Sequence, residues 1–228
     1  LNFEYIVISL LFGAVFSLIL IPLTRQIPLR MHAAWRQEIL EATDIVESRS
    51  DSNNYALSLL EKSLLVIASL AVVFSTLTKF GVTREGILFC IFLEFTLLLA
   101  AINFKHQLLP NGIVFPLLWL GLLSHAIQGG GANEIFGAAI GYIIPFTIVQ
   151  IIKFKTGKNA LGLGDMKCFA MLGAWLGVSA LPTLFIVFSV TALISSILIN
   201  RFKETAASPT GLAHFAAAVA VTFGLKLF

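Results

Sequence analysis

The sequence predicts an all-α, polytopic membrane protein with about eight transmembrane helices and its N-terminus on the periplasmic side. Three observations carry that expectation. Of the 228 residues, 58% are hydrophobic and only 12% are charged, with a mean hydropathy of +0.94. A soluble domain is roughly 45–50% apolar and 25% charged, and a disordered chain needs low hydrophobicity, so both classes are excluded. Second, apolar runs recur along the whole chain, with room for roughly seven or eight crossings at about 20 residues each. Third, the basic residues are sorted between the loops.

The first run, Tyr5–Thr24, carries Glu4 at its edge and lacks both a basic leader and a small-residue cleavage site before Arg25. It reads as a first transmembrane helix, not a signal peptide. Met31–Glu47 mixes apolar and charged residues at helical spacing and predicts a small, separate amphipathic helix. His32, Trp35 and Arg36 there read as local packing or solvation, and the Ser-Asp-Ser-Asn-Asn stretch after Arg49 reads as an exposed tip. Further helices are expected over Ser63–Thr78, Ile87–Phe104, Gly112–Ile127 and Ile135–Ile152, then Met166–Val178, Leu181–Asn200 and Leu212–Leu225. Gly129–Gly131 reads as a turn. The pairs Gly137/Gly141 and Gly173/Gly177 have the small-xxx-small spacing that lets helix backbones approach closely. The expected organisation is a first helix over 1–24, a cytoplasmic loop over 25–62 and a membrane-embedded core over 63–228.

Threading the runs alternately puts the loops 25–62, 105–111, 153–165 and 201–211 on one side. With Lys167, that side holds Arg25, Arg30, Arg36, Arg49, Lys62, Lys105, Lys153, Lys155, Lys158, Lys167, Arg201 and Lys203, which is 12 of the 15 basic residues. Such an excess marks the cytoplasmic face. The net charge of +3 and pI near 9.0 therefore reflect topology, and no nucleic-acid partner is expected. Cys90 and Cys168 stand alone in apolar runs, giving neither a disulfide framework nor a metal set.

An ionisable residue within the hydrocarbon is costly and therefore a functional suspect. Glu94 lies in the middle of the third run, where it would be protonated or paired with a polar group such as Gln150. Lys105 and His106 close that run, and Asp165 opens the sixth within Gly162-Leu163-Gly164-Asp165. The two glycines would permit positive φ and let a second segment approach without a Cβ in the way. The carboxylate would lie at a helix N-terminus, which favours it. A dinucleotide site is excluded, since no strand precedes the glycines and the third one is missing.

Asn103-Phe104-Lys105-His106-Gln107-Leu108-Leu109-Pro110-Asn111 faces the same side as Asp165 in this threading. With these two segments the chain resembles the type IV prepilin peptidases, polytopic aspartic proteases of the bacterial inner membrane. Their pattern is an Asp seven residues before the Pro of Leu-Pro-Asp/Asn, then Gly-x-Gly-Asp much later. The similarity extends through Phe115–Leu123, Gly157–Lys167 and Leu172–Gly177, and back to Phe12–Ser17 and Arg25-x-x-Pro28. Ser208-Pro209-Thr210-Gly211 looks like a degraded form of the family's late Pro-Phe-Gly-Pro turn.

The resemblance implies catalysis by Asp165 and by an Asp at position 103, with Gly162, Gly164, Lys167, Pro110 and Asn111 forming the active-site loops. Two close carboxyls share one proton. The ionised one draws a proton from water as it attacks the scissile carbonyl, while the protonated one hydrogen-bonds the developing oxyanion. This sequence has Asn103 instead, which matches Asp in shape but cannot act as a base at neutral pH. The expected consequence is a folded but inactive enzyme, and the intact surroundings fit a recent or deliberate replacement better than a long-abandoned site.

The implied substrates are prepilin or pseudopilin leaders, with the lipid bilayer and a pilus or type II secretion assembly machinery as partners. Relatives carry paired Cys-x-x-Cys motifs in the first cytoplasmic loop, but residues 25–62 contain no cysteine, so no zinc is expected. Proteolysis needs no cofactor. S-adenosylmethionine would serve only if methylation of the new pilin N-terminus is retained. The alternatives are a noncatalytic prepilin-binding assembly factor and a small ion-coupled transporter using Glu94 and Asp165.

Overall fold

The computed structural model describes residues 3–43, 57–157, 161–200 and 210–225. Among these the chain is all-α, with α1 over Phe3–Thr43, α2 over Leu59–Phe80, α3 over Arg84–His106, α4 over Asn111–Ala126, α5 over Ala132–Thr156, α6 over Leu163–Leu176, α7 over Leu181–Asn200 and α8 over Gly211–Thr222. One turn of 3₁₀ helix, Val178–Ala180, joins α6 to α7. Five segments are long and apolar enough to cross a bilayer: Ile6–Trp35, Leu59–Phe80, Arg84–His106, Ala132–Thr156 and Val178–Leu198. The chain is a multi-pass membrane protein. The helices α4, α6 and α8 have 16, 14 and 12 residues. At 1.5 Å per residue they rise only about 24, 21 and 18 Å, short of a hydrocarbon core about 30 Å thick.

Each apolar run read from the sequence has its helix, but two boundaries differ for identifiable reasons. The first helix does not stop at Thr24, and no separate amphipathic helix begins at Met31. One helix continues through Pro22 and Pro28 to Thr43. A helix accepts an internal proline when the surrounding contacts compensate for the lost hydrogen bond. His32 and Trp35 meet edge to face along it, with ring centroids 5.4 Å apart. The expected tip after Arg49 lies outside the described residues. Helix α2 starts earlier than its apolar run because Ser58 and Glu61 form a capping box. The Ser58 hydroxyl accepts from the Glu61 N–H at 3.2 Å, and the Glu61 carboxylate accepts from the Ser58 N–H at 2.6 Å.

The chain divides into two compact units, Leu1–Glu94 and Phe95–Phe228. In the first, Val73, Leu77 and Cys90 form a core against which Ile8 and Phe16 pack. Gly13 of α1 lies where a Cβ would stand 2.7 Å from Leu70 Cδ2, so the α1–α2 approach depends on its missing side chain. Glu94 is fully buried, and its partner is Ser69, not Gln150. The Ser69 hydroxyl lies 3.0 and 3.1 Å from the two carboxyl oxygens and 3.4 Å from the Gly13 carbonyl, while Gln150 is exposed on α5.

In the second unit α6 is the central element. Ten of its 14 residues are buried, Asp165 among them. The small-residue pairs form the expected seam: a Cβ on Gly137 or Gly173 would collide with the backbone of the facing helix, and one on Gly141 would stand 2.7 Å from the Phe169 carbonyl. On its other side, α6 sends Trp175 to α4, where the indole N–H donates to the Leu117 carbonyl at 2.8 Å. Gly121 makes room for that ring. The turn between α4 and α5 has Gly129 and Gly131 at positive φ, as the glycine run predicts. Cys90 and Cys168 are free and buried.

Candidate active site

Asn103 lies in the last turn of α3 and is 4% exposed. The helix ends there because Gln107 takes a left-handed conformation (φ 54°) and donates its N–H to the Asn103 carbonyl at 2.8 Å. The chain then passes through Leu108 and Leu109 to Pro110, which caps α4. Gln107 thus closes α3, and Pro110 opens α4, where its missing N–H costs nothing.

Asp165 is the third residue of α6 and is 6% exposed. Its Oδ2 reaches back to accept from the Gly162 N–H at 3.1 Å, the acidic half of a capping box. Its Oδ1 accepts from the Thr210 hydroxyl at 2.5 Å. One donor on each oxygen fixes the plane of the carboxylate and leaves further lone pairs for a water or a proton-bearing partner. Neither motif glycine adopts positive φ; Gly162 has φ −76°. Their contribution is space. A Cβ on Gly164 would stand 3.0 Å from Leu109 Cβ, so the loop before Pro110 rests directly on the first turn of α6.

Asn103 and Asp165 are joined through two consecutive residues. Thr210 holds Asp165, and the Gly211 N–H donates to Asn103 Oδ1 at 2.7 Å. Gly211 also presses so close to α3 that a Cβ would stand 2.7 Å from Asn103 Cβ and 3.0 Å from Ala100 Cα. Because the Gly211 N–H needs an acceptor, Oδ1 faces α8 and the Asn103 amide nitrogen faces away. An aspartate there would keep the Gly211 bond and present a second oxygen where the amide nitrogen now stands. The degraded turn of the sequence reading thus supplies two of the site's hydrogen bonds from its second half, while Ser208 and Pro209 lie outside the described residues.

Lys167, two residues beyond Asp165, donates to Asn111 Oδ1 at 3.1 Å and lies 5.5 Å above the Phe115 ring. This bond ties the start of α4 to the start of α6. All seven residues that the motifs single out therefore fall on two chain segments, 103–111 and 162–167, which Thr210 and Gly211 and the Lys167–Asn111 bond join. The sequence reading missed Leu109, the floor under Gly164, and His214. The latter is 2% exposed, donates from Nδ1 to the Thr210 carbonyl at 3.0 Å, and has Nδ1 3.8 Å from Asp165 Oδ1. The available signal was a single imidazole four residues after Thr210 in an otherwise apolar helix. Among the described residues, no group of three His, Cys, Asp or Glu side chains could hold a metal ion.

A helical membrane scaffold that brings a Gly-x-Gly-Asp turn beside a Leu-Pro-Asn turn defines a class, and the comparisons with known proteins agree with it. Residues 89–197 match the model of the type IV leader peptidase family. The prepilin leader peptidase/N-methyltransferase of Stutzerimonas stutzeri is 36% identical over 116 residues, 50% of this chain and 40% of that protein. The protein of the same name from Klebsiella pneumoniae is 42% identical over 104 residues, 45% of this chain and 46% of its own length. That of Xanthomonas campestris is 32% identical over 161 residues, covering 69% of this chain and 54% of the relative. The chain thus spans about half the length of the curated relatives it matches. No solved structure matches it.

Proposed function

We propose that this chain is the core of a prepilin leader peptidase that works by two carboxyl groups, in a form silenced by Asn103. What carries the reading is the strap Thr210–Gly211, which grips position 165 with one residue and position 103 with the next. An aspartic mechanism needs two side chains of this shape held at neighbouring points, and adjacent α-carbons are about 3.8 Å apart. Asp165 supplies one carboxyl. Asn103 keeps the geometry of the other but offers no site for the water's proton.

With an aspartate at 103, the ionised carboxylate of the pair takes a proton from the attacking water. The neutral one hydrogen-bonds the carbonyl oxygen as it gains charge, and the proton is returned to the departing amine. The substrate is the leader of a prepilin or pseudopilin, cut where a short polar segment meets an apolar helix. The sorted basic loops support a periplasmic N-terminus and an active site at the cytoplasmic rim of the inner membrane. As it stands, the chain binds such leaders without cutting them. No residue here is assigned to methyl transfer.

Prepilin incubated with membranes carrying this chain tests the proposal. The Asn103→Asp form should release the leader at least about 10²–10⁴-fold faster than the present one, the range attributed to a positioned proton acceptor. Asp165→Asn added to that form should abolish the gain. Equal cleavage by the Asn103 and Asn103→Asp forms, or none by a folded Asn103→Asp form, would overturn the dyad assignment.

A further inference from the structure

We propose that His214 is a positioning residue for the dyad, acting through the Thr210 carbonyl. This inference rests on the reading of positions 103 and 165 given above. The Thr210 carbonyl accepts twice from the same residue, from the His214 backbone N–H at 3.1 Å and from its Nδ1 at 3.0 Å. The first is the opening hydrogen bond of α8. The second is a side-chain bond that an ordinary helix start lacks, and it pins the peptide unit between Thr210 and Gly211. That unit carries the Gly211 N–H donated to Asn103, and its preceding residue carries the hydroxyl donated to Asp165. One imidazole therefore fixes the plane from which both dyad positions are held.

The surroundings of the ring point the same way. His214 lies between Phe169 and Phe188, with ring centroids 4.8 and 4.5 Å away, and its Nε2 is buried without a hydrogen-bond partner. A buried polar atom left unpaired is unfavourable, and a Leu or Phe would fill an aromatic box without it. Packing alone does not explain a histidine there. The Nδ1 bond does. At 3.8 Å from Oδ1, Nδ1 is beyond hydrogen-bond range of Asp165. The hydrogen bond that Nδ1 makes at this site therefore runs to Thr210, whose hydroxyl holds the carboxylate.

Asn and Leu separate this role from bulk. An Asn at 214 places an N–H near the position of Nδ1, whereas Leu fills the space without a donor. The first measurement needs no activity: hydrogen exchange of the segment containing Gly211, in the present Asn103 chain in nanodiscs. We expect His214→Leu to speed exchange at the Gly211 amide at least tenfold and His214→Asn to leave it within threefold. In the Asn103→Asp form, His214→Leu should lower kcat for leader release 10- to 100-fold with KM within threefold, and His214→Asn should restore most of it. Exchange unchanged by Leu, or Asn and Leu acting alike in either measurement, overturns the proposal. A folded Asn103→Asp form that fails to cleave counts against the dyad, while the exchange measurement still decides the role of His214.

Discussion

The Gly211 N–H donates to Asn103 Oδ1 at 2.7 Å across 108 residues of sequence, and this bond ties the start of α8 to the last turn of α3. An amide oxygen and a carboxylate oxygen can both accept it, so the fold accommodates either residue at position 103. A charged acceptor would make the bond stronger, roughly doubling its contribution.

Gly211 has no room for a side chain. The nearest obstacle to a Cβ is Asn103 Cβ at 2.7 Å and the next is the backbone at Ala100, so relief requires moving α8 away from α3. Gly211→Ala should destabilise the protein by about 1–3 kcal/mol, the usual cost of overpacking. Thermal unfolding in detergent would register this as a lower midpoint. An unchanged midpoint would mean that the approach is looser than described.

The Thr210 hydroxyl is one of two donors to Asp165. In the Asn103→Asp form, Thr210→Val should slow leader release by roughly tenfold or more, in line with about 1–3 kcal/mol for a buried acceptor deprived of its partner. Thr210→Ser should keep the rate within a few-fold. Single-turnover cleavage compares the pair, and equal rates for Val and Ser would remove Thr210 from the site.

Glu94 and Ser69 form a buried pair in the first unit. Glu94→Gln preserves hydrogen bonding with Ser69 and should leave leader release by the Asn103→Asp form within threefold. Ser69→Ala strands the carboxyl and should cost about 0.6–2 kcal/mol, the range for such bonds in membranes. An ion-coupled transporter would behave differently. Its transport would be lost with Glu94→Gln, which ion flux into proteoliposomes would reveal.

The α5–α6 seam is the last test. At Gly137 and Gly173 a Cβ would meet the backbone of the facing helix, which has no side chain to swing aside. Either residue changed to Ala should lower the unfolding midpoint more than the same change at Gly112, which has open space around it. Because α6 positions Asp165, activity should fall with stability. Equal melting of the Gly137→Ala and Gly112→Ala forms would count against close packing at the seam.

Much of this was legible in the sequence. The helices announce themselves because the bilayer demands continuous apolar runs, and the small-residue pairs announce the seam because only missing side chains permit it. The Leu-Pro-Asn and Gly-x-Gly-Asp turns are local, so their residues could be named one by one. Other features could not be read. The continuation of α1 past Thr24, through Pro22 and Pro28, runs against local propensity. The motif glycines suggested unusual backbone angles, whereas Gly164 is required by Leu109, a residue 55 positions earlier. Glu94 was recognisable as a buried acid, but its partner Ser69 lies on another helix, where sequence spacing gives no guide.

By itself the sequence determined the membrane, the helices and the Leu-Pro-Asn and Gly-x-Gly-Asp turns, including the amide at position 103. Those properties are set by composition and by residues close together in the chain. Only the tertiary structure decided how Asn103 and Asp165 are joined: by Thr210 and Gly211, with His214 behind them, after α8 packs against α6. The physical reason is range. A helix or a turn is fixed by neighbours a few residues apart, but a buried carboxylate takes whatever donors packing brings within about 3 Å.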